Sequence, residues 1–329
     1  MICLGIESTA HTLSIGITKN GKVLSNVIDM YRVGKAGMIP RDLADHHSNA
    51  FSPVLKKSLE EAGLTMDDVD LIAFSQGPGI GSPLAIGVAS AKYLASRFGK
   101  KIIGVNHCYA HVKISEDLTG MKSPLVLYLS GGNSQILVQA KDYYKVLGET
   151  LDVGMGNVFD TFARSIGMKH AHGSELEKLA RGGSYVELPY TVKGMNLVFS
   201  GLMTHAEKLA NEKAASNKDL AFSLMETTFA MTCEVTERAL FLTKKKNLIV
   251  CGGVAQNRRL QSMLRTMCEE DGVKFGVAPD QYNRDNGAMI AYAGEVQYKK
   301  FGAKPVENWK HITNYRIDRM EEVLQDYSI

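Results

Sequence analysis

The sequence lacks the marks of an exported or membrane-bound chain. Its five cysteines, Cys3, Cys108, Cys233, Cys251 and Cys268, include no C-x-x-C pair and fall far short of the density of a disulfide scaffold. That excludes a cysteine-framework fold and fits a reducing cytoplasm. No apolar run reaches the length of a bilayer span, and the opening MICLGIES meets an acidic residue with no basic region before an apolar stretch, so neither membrane insertion nor export is expected. A strong charge of one sign is also missing. With a net charge of +3, any nucleic-acid binding has to rest on a local patch.

What is present is enough apolar residue for two cores: 329 residues, 45% hydrophobic and 22% charged, suit two α/β lobes. Apolar clustering predicts a meander of strands at Ile2 to Ile6, Leu13 to Thr18 and Lys22 to Val27, with a polar loop from Glu7 to His11. The plan returns at residues 124 to 150 as strand PLVLYL, loop SGGNS and strand QILVQA, and Lys141-Asp142 with Lys145-Val146-Leu147 echo Lys19-Asn20 with Lys22-Val23-Leu24. Each copy is followed by a strand, glycine loop and helix, from Asp70 and from Asn247. The pattern predicts a duplicated lobe: an N-terminal lobe over 1–117, a C-terminal lobe over 118–300 with a helical insertion between Asp152 and Lys244, and a tail over 301–329 that packs on the first lobe or serves as a linker. Glycine loops facing each other across a cleft between lobes are what an actin-like, sugar-kinase-like nucleotide fold needs, although glycines also simply make tight turns.

His107 and His111, in His107-Cys108-Tyr109-Ala110-His111, share a helix face and are placed to hold one metal ion. A zinc protease of the H-E-x-x-H type would have its general-base glutamate where Cys108 stands. Further ligands must come from elsewhere; Asp285 in RDNGAM is the better candidate and Glu7 the other, while an aspartate before Asn-Gly also suits a helix cap. Asp160, Glu177 and Asn257 are able to bond a nucleoside, Asp160 and Glu177 otherwise fitting a solvated helix face. Arg258 and Arg259 are placed to touch phosphate or RNA. The pairs His46-His47 and His170 with His172 read as surface or packing residues.

The strings GIESTAHT, IPRDLADHH, SQGPGIGSPLAIG, NHCYAH, LYLSGGNSQI, FDTFARSIG, FSGLMT, CGGVAQNRRL and RDNGAMIA together resemble the universal tRNA threonylcarbamoyladenosine transferase family, called TsaD in bacteria and once described as an O-sialoglycoprotein endopeptidase. The similarity runs from about Ile2 to Ala293, and Thr9-Ala10-His11-Thr12 resembles the archaeal and eukaryotic branch. The fold it implies is α/β of the actin-like ATPase class (ASKHA), an RNase H-like duplication with two lobes, a cleft between them and a helical insertion in the second. By this resemblance His107, His111, Asp285 and Tyr128 bind one divalent metal, Fe(II) in the family, with Zn also compatible with such donors. Tyr128, Leu129, Ser130, Gly131 and Gly132 form a phosphate or substrate loop, and Asp160, Gly173, Glu177 and Asn257 hold the nucleoside of ATP, AMP or threonylcarbamoyl-AMP.

The implied reaction transfers threonylcarbamoyl to N6 of the adenosine beside the anticodon of tRNA, with Glu7 and His11 as candidates for proton transfer. The implied partners are tRNA and the KEOPS assembly: a small dimerising subunit on the first lobe, around Asp42 to Ala62 and Ala85 to Phe98, and a small kinase. The chain departs from the family at Ala171-His172-Gly173-Ser174, where relatives commonly read Pro-Gly-Gly-Pro, and at Ala85, where they commonly have arginine. A small-molecule kinase of the same fold, a metalloprotease and a nucleotide-binding scaffold are the competing readings.

Overall fold

The computed structural model describes residues 1–32, 37–141 and 143–325. Asp142, half of one expected echo, lies outside them, as do residues 326–329 of the expected tail. The chain divides into two compact units, one built from Met1–Leu118 together with the chain from Pro279 onward, the other from Thr119–Ala278.

In the first unit β1 (Ile2–Glu7), β2 (Thr12–Lys19) and β3 (Lys22–Met30) form an antiparallel meander. Between β2 and β3, Asn20 and Gly21 carry the two positive φ values of a two-residue hairpin turn, φ 50° and 83°. Helix α1 (Pro40–Ala62) follows, then β4 (Leu71–Gly77), α2 (Gly81–Phe98), β5 (Lys101–Asn106) and α3 (His107–Thr119). β4 and β5 run parallel to β1, giving the order β3-β2-β1-β4-β5.

The second unit repeats this plan with β6 (Leu125–Leu129), β7 (Ser134–Ala140) and β8 (Tyr143–Glu149). Next come α4 (Met155–Ser165), α5 (Gly173–Ala180), the short β9 (Val192–Lys193) and β10 (Asn196–Leu197), α6 (Ser200–Asn211) and α7 (Asn217–Thr243). β11 (Asn247–Cys251), α8 (Arg258–Glu270) and β12 (Lys274–Val277) complete it. The sheet order β12-β11-β6-β7-β8 is the first order with equivalent strands in equivalent places. Each meander also carries one register shift, between Ile17 and Thr18 of β2 on β3 and between Ile136 and Leu137 of β7 on β8, two and four residue pairs from their respective turns.

Helices α4 to α8 bury the second core, with Phe159 edge-on to Phe229 at 5.8 Å. Threonines 228, 232 and 236 enter that core only because each hydroxyl donates to the carbonyl four residues back, at 2.6, 2.8 and 2.7 Å.

After β12 the chain returns to the first unit through α9 (Asp280–Asn283), α10 (Gly287–Phe301) and α11 (Met320–Gln325). This corrects the expected boundary at residue 300, because α10 packs on β1 and β2. A Cβ at Gly5 would lie 2.2 Å from the Ala291 nitrogen, and one at Gly16 2.2 Å from the Ala288 nitrogen, so the helix backbone touches the sheet where the strands carry no side chain. The segment beyond α10 stays on the same unit, with Trp309 1% exposed and edge-on to Phe74 at 5.8 Å.

Candidate metal centre and nucleotide loops

Strand β5 runs straight into α3, and its last residue supplies the helix cap: Asn106 Oδ1 accepts from the Tyr109 amide at 3.0 Å. One turn apart on that helix, the rings of His107 and His111 meet edge to face with centroids 4.7 Å apart. Asp285 reaches them from the turn before α10. Its Oδ1 is 3.4 Å from His107 Nε2 and 3.3 Å from His111 Nε2. The capping role open to Asp285 is filled by its neighbour, since Asn286 Oδ1 accepts from the Met289 amide at 2.9 Å. Asp285 is thereby left to the imidazoles.

The three ligand atoms lie within 4.8 Å of one another, the one such cluster of histidine, cysteine and carboxylate groups among the described residues. Metal bonds of about 2.1 Å in tetrahedral geometry separate neighbouring ligand atoms by roughly 3.4 Å, close to both measured edges. The donor set fits a divalent ion. Two buried imidazoles and a carboxylate that keeps 23% of its side chain exposed give a site closed behind and open on one side.

Behind His107 stands Glu7. Its Oε2 receives His107 Nδ1–H at 2.9 Å, and Oε1 accepts from the Thr9 amide and hydroxyl at 2.7 and 2.5 Å. This is a carboxylate orienting a histidine of the candidate metal cluster. Burial opposes charge on all three cluster members. His107 is nonetheless held well above the usual imidazole range by Glu7 and Asp285, and Asp285 well below the carboxylate range by the two rings. His111 moves down, burial and the adjacent His107 outweighing its bond to Asp285.

His11 lies on the same β1–β2 loop, with its carbonyl accepting from the Tyr31 amide at 2.8 Å and no hydrogen bond at its buried Nδ1. Nearby, His47 is buried, which of the surface and packing alternatives is the packing one. Its Nδ1 is 3.2 Å from His46 Nδ1, whose ring bonds Asp29 at 2.9 Å. Burial, with His46 and His11 adding, pushes His47 down to about 4.

The other expected site residues belong to the second unit. Tyr128 and Leu129 end β6, both buried, and Ser130 closes the tight turn by accepting from the Asn133 amide at 3.0 Å. The carbonyls of Ser130 and Gly131 take the amides of Gly156 and Asn157, at 3.2 and 3.0 Å, seating the start of α4 on the loop. Gly154 must be glycine here, since a Cβ would lie 2.3 Å from the Gly131 carbonyl. Gly132 and Gly253 have open space where a Cβ would stand, leaving their backbone approachable.

Gly252, at φ 94°, brings β11's end against Leu129, and Asn257 caps α8 through the Leu260 amide at 3.0 Å. Asp160 accepts from the Gly173 amide at 2.8 Å, joining α4 to α5. Where the family commonly has Pro-Gly, His172 caps α5 by accepting from the Ser174 amide at 3.2 Å. Glu177 lies half-buried on α5. Arg259 is engaged by Glu226 through two 2.7 Å bonds, which takes it from the role of a free phosphate ligand. Thr9, Asn106 and Asn286 are functional residues that the sequence alone did not single out; an asparagine just before a helix is the cap signal that marks the last two.

The pattern that defines TsaD, tRNA N6-adenosine threonylcarbamoyltransferase, matches residues 22–292. The tRNA N6-adenosine threonylcarbamoyltransferase of Thermococcus kodakarensis is 49% identical over 98% of this chain and 99% of its own length. The chain belongs to the TsaD family. A longer TsaD-related protein, the probable bifunctional tRNA threonylcarbamoyladenosine biosynthesis protein of Methanobrevibacter smithii, is 44% identical over 98% of this chain, which spans 60% of that relative. The fold is shared more widely than the family. The crystal structure of T. kodakarensis HypF superposes with a TM-score of 0.63 at 16% identity, covering 91% of this chain and 48% of that one. Membership makes the chain a transferase of the actin-like α/β class, with no helix among the described residues long and apolar enough to cross a membrane.

Proposed function

We propose that this chain transfers the threonylcarbamoyl group from threonylcarbamoyl-AMP to N6 of the adenosine beside the anticodon, position 37, in tRNAs reading codons that begin with A. The observation that carries the reading is the meeting of His107, His111 and Asp285 with Glu7 behind them, in a chain 49% identical to a relative of that name. In the reaction the N6 amine forms a bond to the carbamoyl carbon, the bond from that carbon to the adenylate oxygen breaks, AMP leaves and the amine loses one proton. A divalent ion held at this cluster, Fe(II) or Zn(II), would supply a positive charge for the acyl donor's oxygens.

His107, His111 and Asp285 would hold the ion, and the family resemblance adds Tyr128 as a further ligand. Glu7 keeps the His107 ring in the tautomer that offers Nε2. Because both Glu7 oxygens are engaged and the side chain is buried, we assign it positioning, and give the proton-transfer role to His11. Ser130 to Gly132 and the open backbone at Gly253 suit the phosphate, and Asp160, Gly173, Glu177 and Asn257 the adenosine. Orientation is the larger service, since the N6 amine is a poor nucleophile.

We also assign the chain to a KEOPS assembly in the cytoplasm, with a small dimerising subunit on α1 and α2 and a small kinase. Tyr93 and Phe98 stand 64% and 37% exposed on α2, consistent with a covered face. The test is reconstitution: unmodified tRNA, threonine, bicarbonate, ATP, the adenylate-forming enzyme and the partners, followed by nucleoside analysis. Modified adenosine should require this chain and disappear with His111→Ala. Product formed equally by that variant would overturn the metal-centred reading.

A further inference from the structure

The segment after α10 is irregular, yet it is tied down along its length. Lys92 Nζ donates to the carbonyls of Glu307 and Trp309 at 3.2 and 3.0 Å, and Gln76 Nε2 donates to the Lys310 carbonyl at 3.0 Å. The Ile312 amide donates to the Gln76 carbonyl at 2.7 Å, and the Gly79 amide to the Thr313 carbonyl at 3.1 Å. Asn106 Nδ2 then donates to the Tyr315 carbonyl at 2.9 Å. The strand ends are shaped for this strap. A Cβ at Gly77 would lie 1.8 Å from the Ile312 carbonyl oxygen, and one at Gly104 2.8 Å from the Trp309 ring.

The strap reaches His107 from two sides. On one, Asn106 spends its amide group on Tyr315 and its oxygen on the first turn of α3, so strap and helix start share one side chain. On the other, Thr313 holds Gly79, the next amide at Ile80 donates to the Thr9 carbonyl at 2.8 Å, and Thr9 donates to Glu7, which orients the His107 ring.

We infer that Asn106 is a positioning residue and that the strap Lys310–Tyr315 sets the geometry of the divalent-metal centre through it and through the Gly79–Thr9–Glu7 chain. The inference rests on the metal-centred reading above. A strap that merely closed the core would need the Trp309 packing alone, whereas these bonds end on the residue before the first histidine ligand and on the carboxylate behind it.

Asn106→Asp keeps an acceptor for the Tyr109 amide and sets a carboxylate oxygen against the Tyr315 carbonyl, so it separates helix capping from strap coupling. Titrated with Co(II), the full-length variant should bind about tenfold more weakly than the unaltered chain, with a changed visible spectrum, while the metal-free proteins melt within a few degrees of each other. By linkage, Co(II) added to the unaltered chain should slow hydrogen exchange at the Ile312 and Gly79 amides. The inference is overturned if Asn106→Asp binds Co(II) as the unaltered chain does, or if exchange at Ile312 is indifferent to metal. Should the variant fail to fold, the exchange measurement decides alone. An unaltered chain that takes up no Co(II) removes the metal centre itself and the inference with it.

Discussion

Glu7 Oε2 sits 2.9 Å from Nδ1 of His107, and this contact decides which ring nitrogen faces Asp285. A neutral imidazole that donates from Nδ1 has its lone pair on Nε2, the atom a metal requires. Glu7→Gln can still accept the hydrogen bond through its amide oxygen but withdraws the negative charge. The expected outcome is a metal affinity lower by about ten- to a hundredfold, with little change in fold. Competition with a chromogenic chelator measures it, and unaltered affinity would remove Glu7 from the centre.

His47 predicts a shape for the acid limb of stability. Burial, with His46 and His11 adding, takes its imidazole from 6.5 to about 4, so between those values the unfolded chain binds a proton that the folded chain does not. Stability attributable to this group is therefore intact above pH 6.5 and falls as the pH drops toward 4, by about 2 to 3 kcal/mol. His47→Gln should flatten that part of the profile. Urea melts at pH 7 and pH 4.5 on both proteins provide the check: equal losses would show that His47 takes up its proton in the folded state.

Much of this architecture was legible because its signals are local. Strand alternation in Ile2 to Ile6 and PLVLYL, the repeated lysine turns and the four-residue spacing of His107 and His111 each report on neighbours in sequence. What was not legible depends on contacts between distant segments. Nothing local in Gly287–Phe301 says which of two similar sheets it will cover. The answer lies in Gly5 and Gly16, whose missing side chains only acquire meaning once the helix is against them. Glu7 could be read as a ligand or a base but not as a support for His107, a partner 100 residues away. The pair His46-His47 could be read as surface or packing but not divided between the two, because the burial of one of two adjacent histidines is set by the sheet beneath α1.

Gly5→Ala tests that covering. The added methyl would collide with the backbone of α10, which cannot yield as a flexible side chain does. A loss of about 3 kcal/mol is expected, read from denaturant midpoints, and it should weaken metal binding in parallel because Asp285 enters the centre from the start of the same helix. A variant as stable as the parent would show that α10 does not lie on β1 in solution.

Asp160→Ala distinguishes a nucleotide ligand from a helix tie. The carboxylate already bonds the Gly173 amide, so some stability should be lost in either case. If it also holds the adenosine, KM for threonylcarbamoyl-AMP should rise about tenfold or more, with metal content unchanged. A fall in melting temperature with KM unaltered would confine Asp160 to joining α4 and α5.

The first unit is assembled from both ends of the chain, with residues 119–278 inserted between its two histidines and its aspartate. A nascent polypeptide therefore exposes His107 and His111 well before Asp285 is synthesised. The three-donor cluster closes only after the whole second unit has been made, so any ion held by all three side chains together can bind only from that point on.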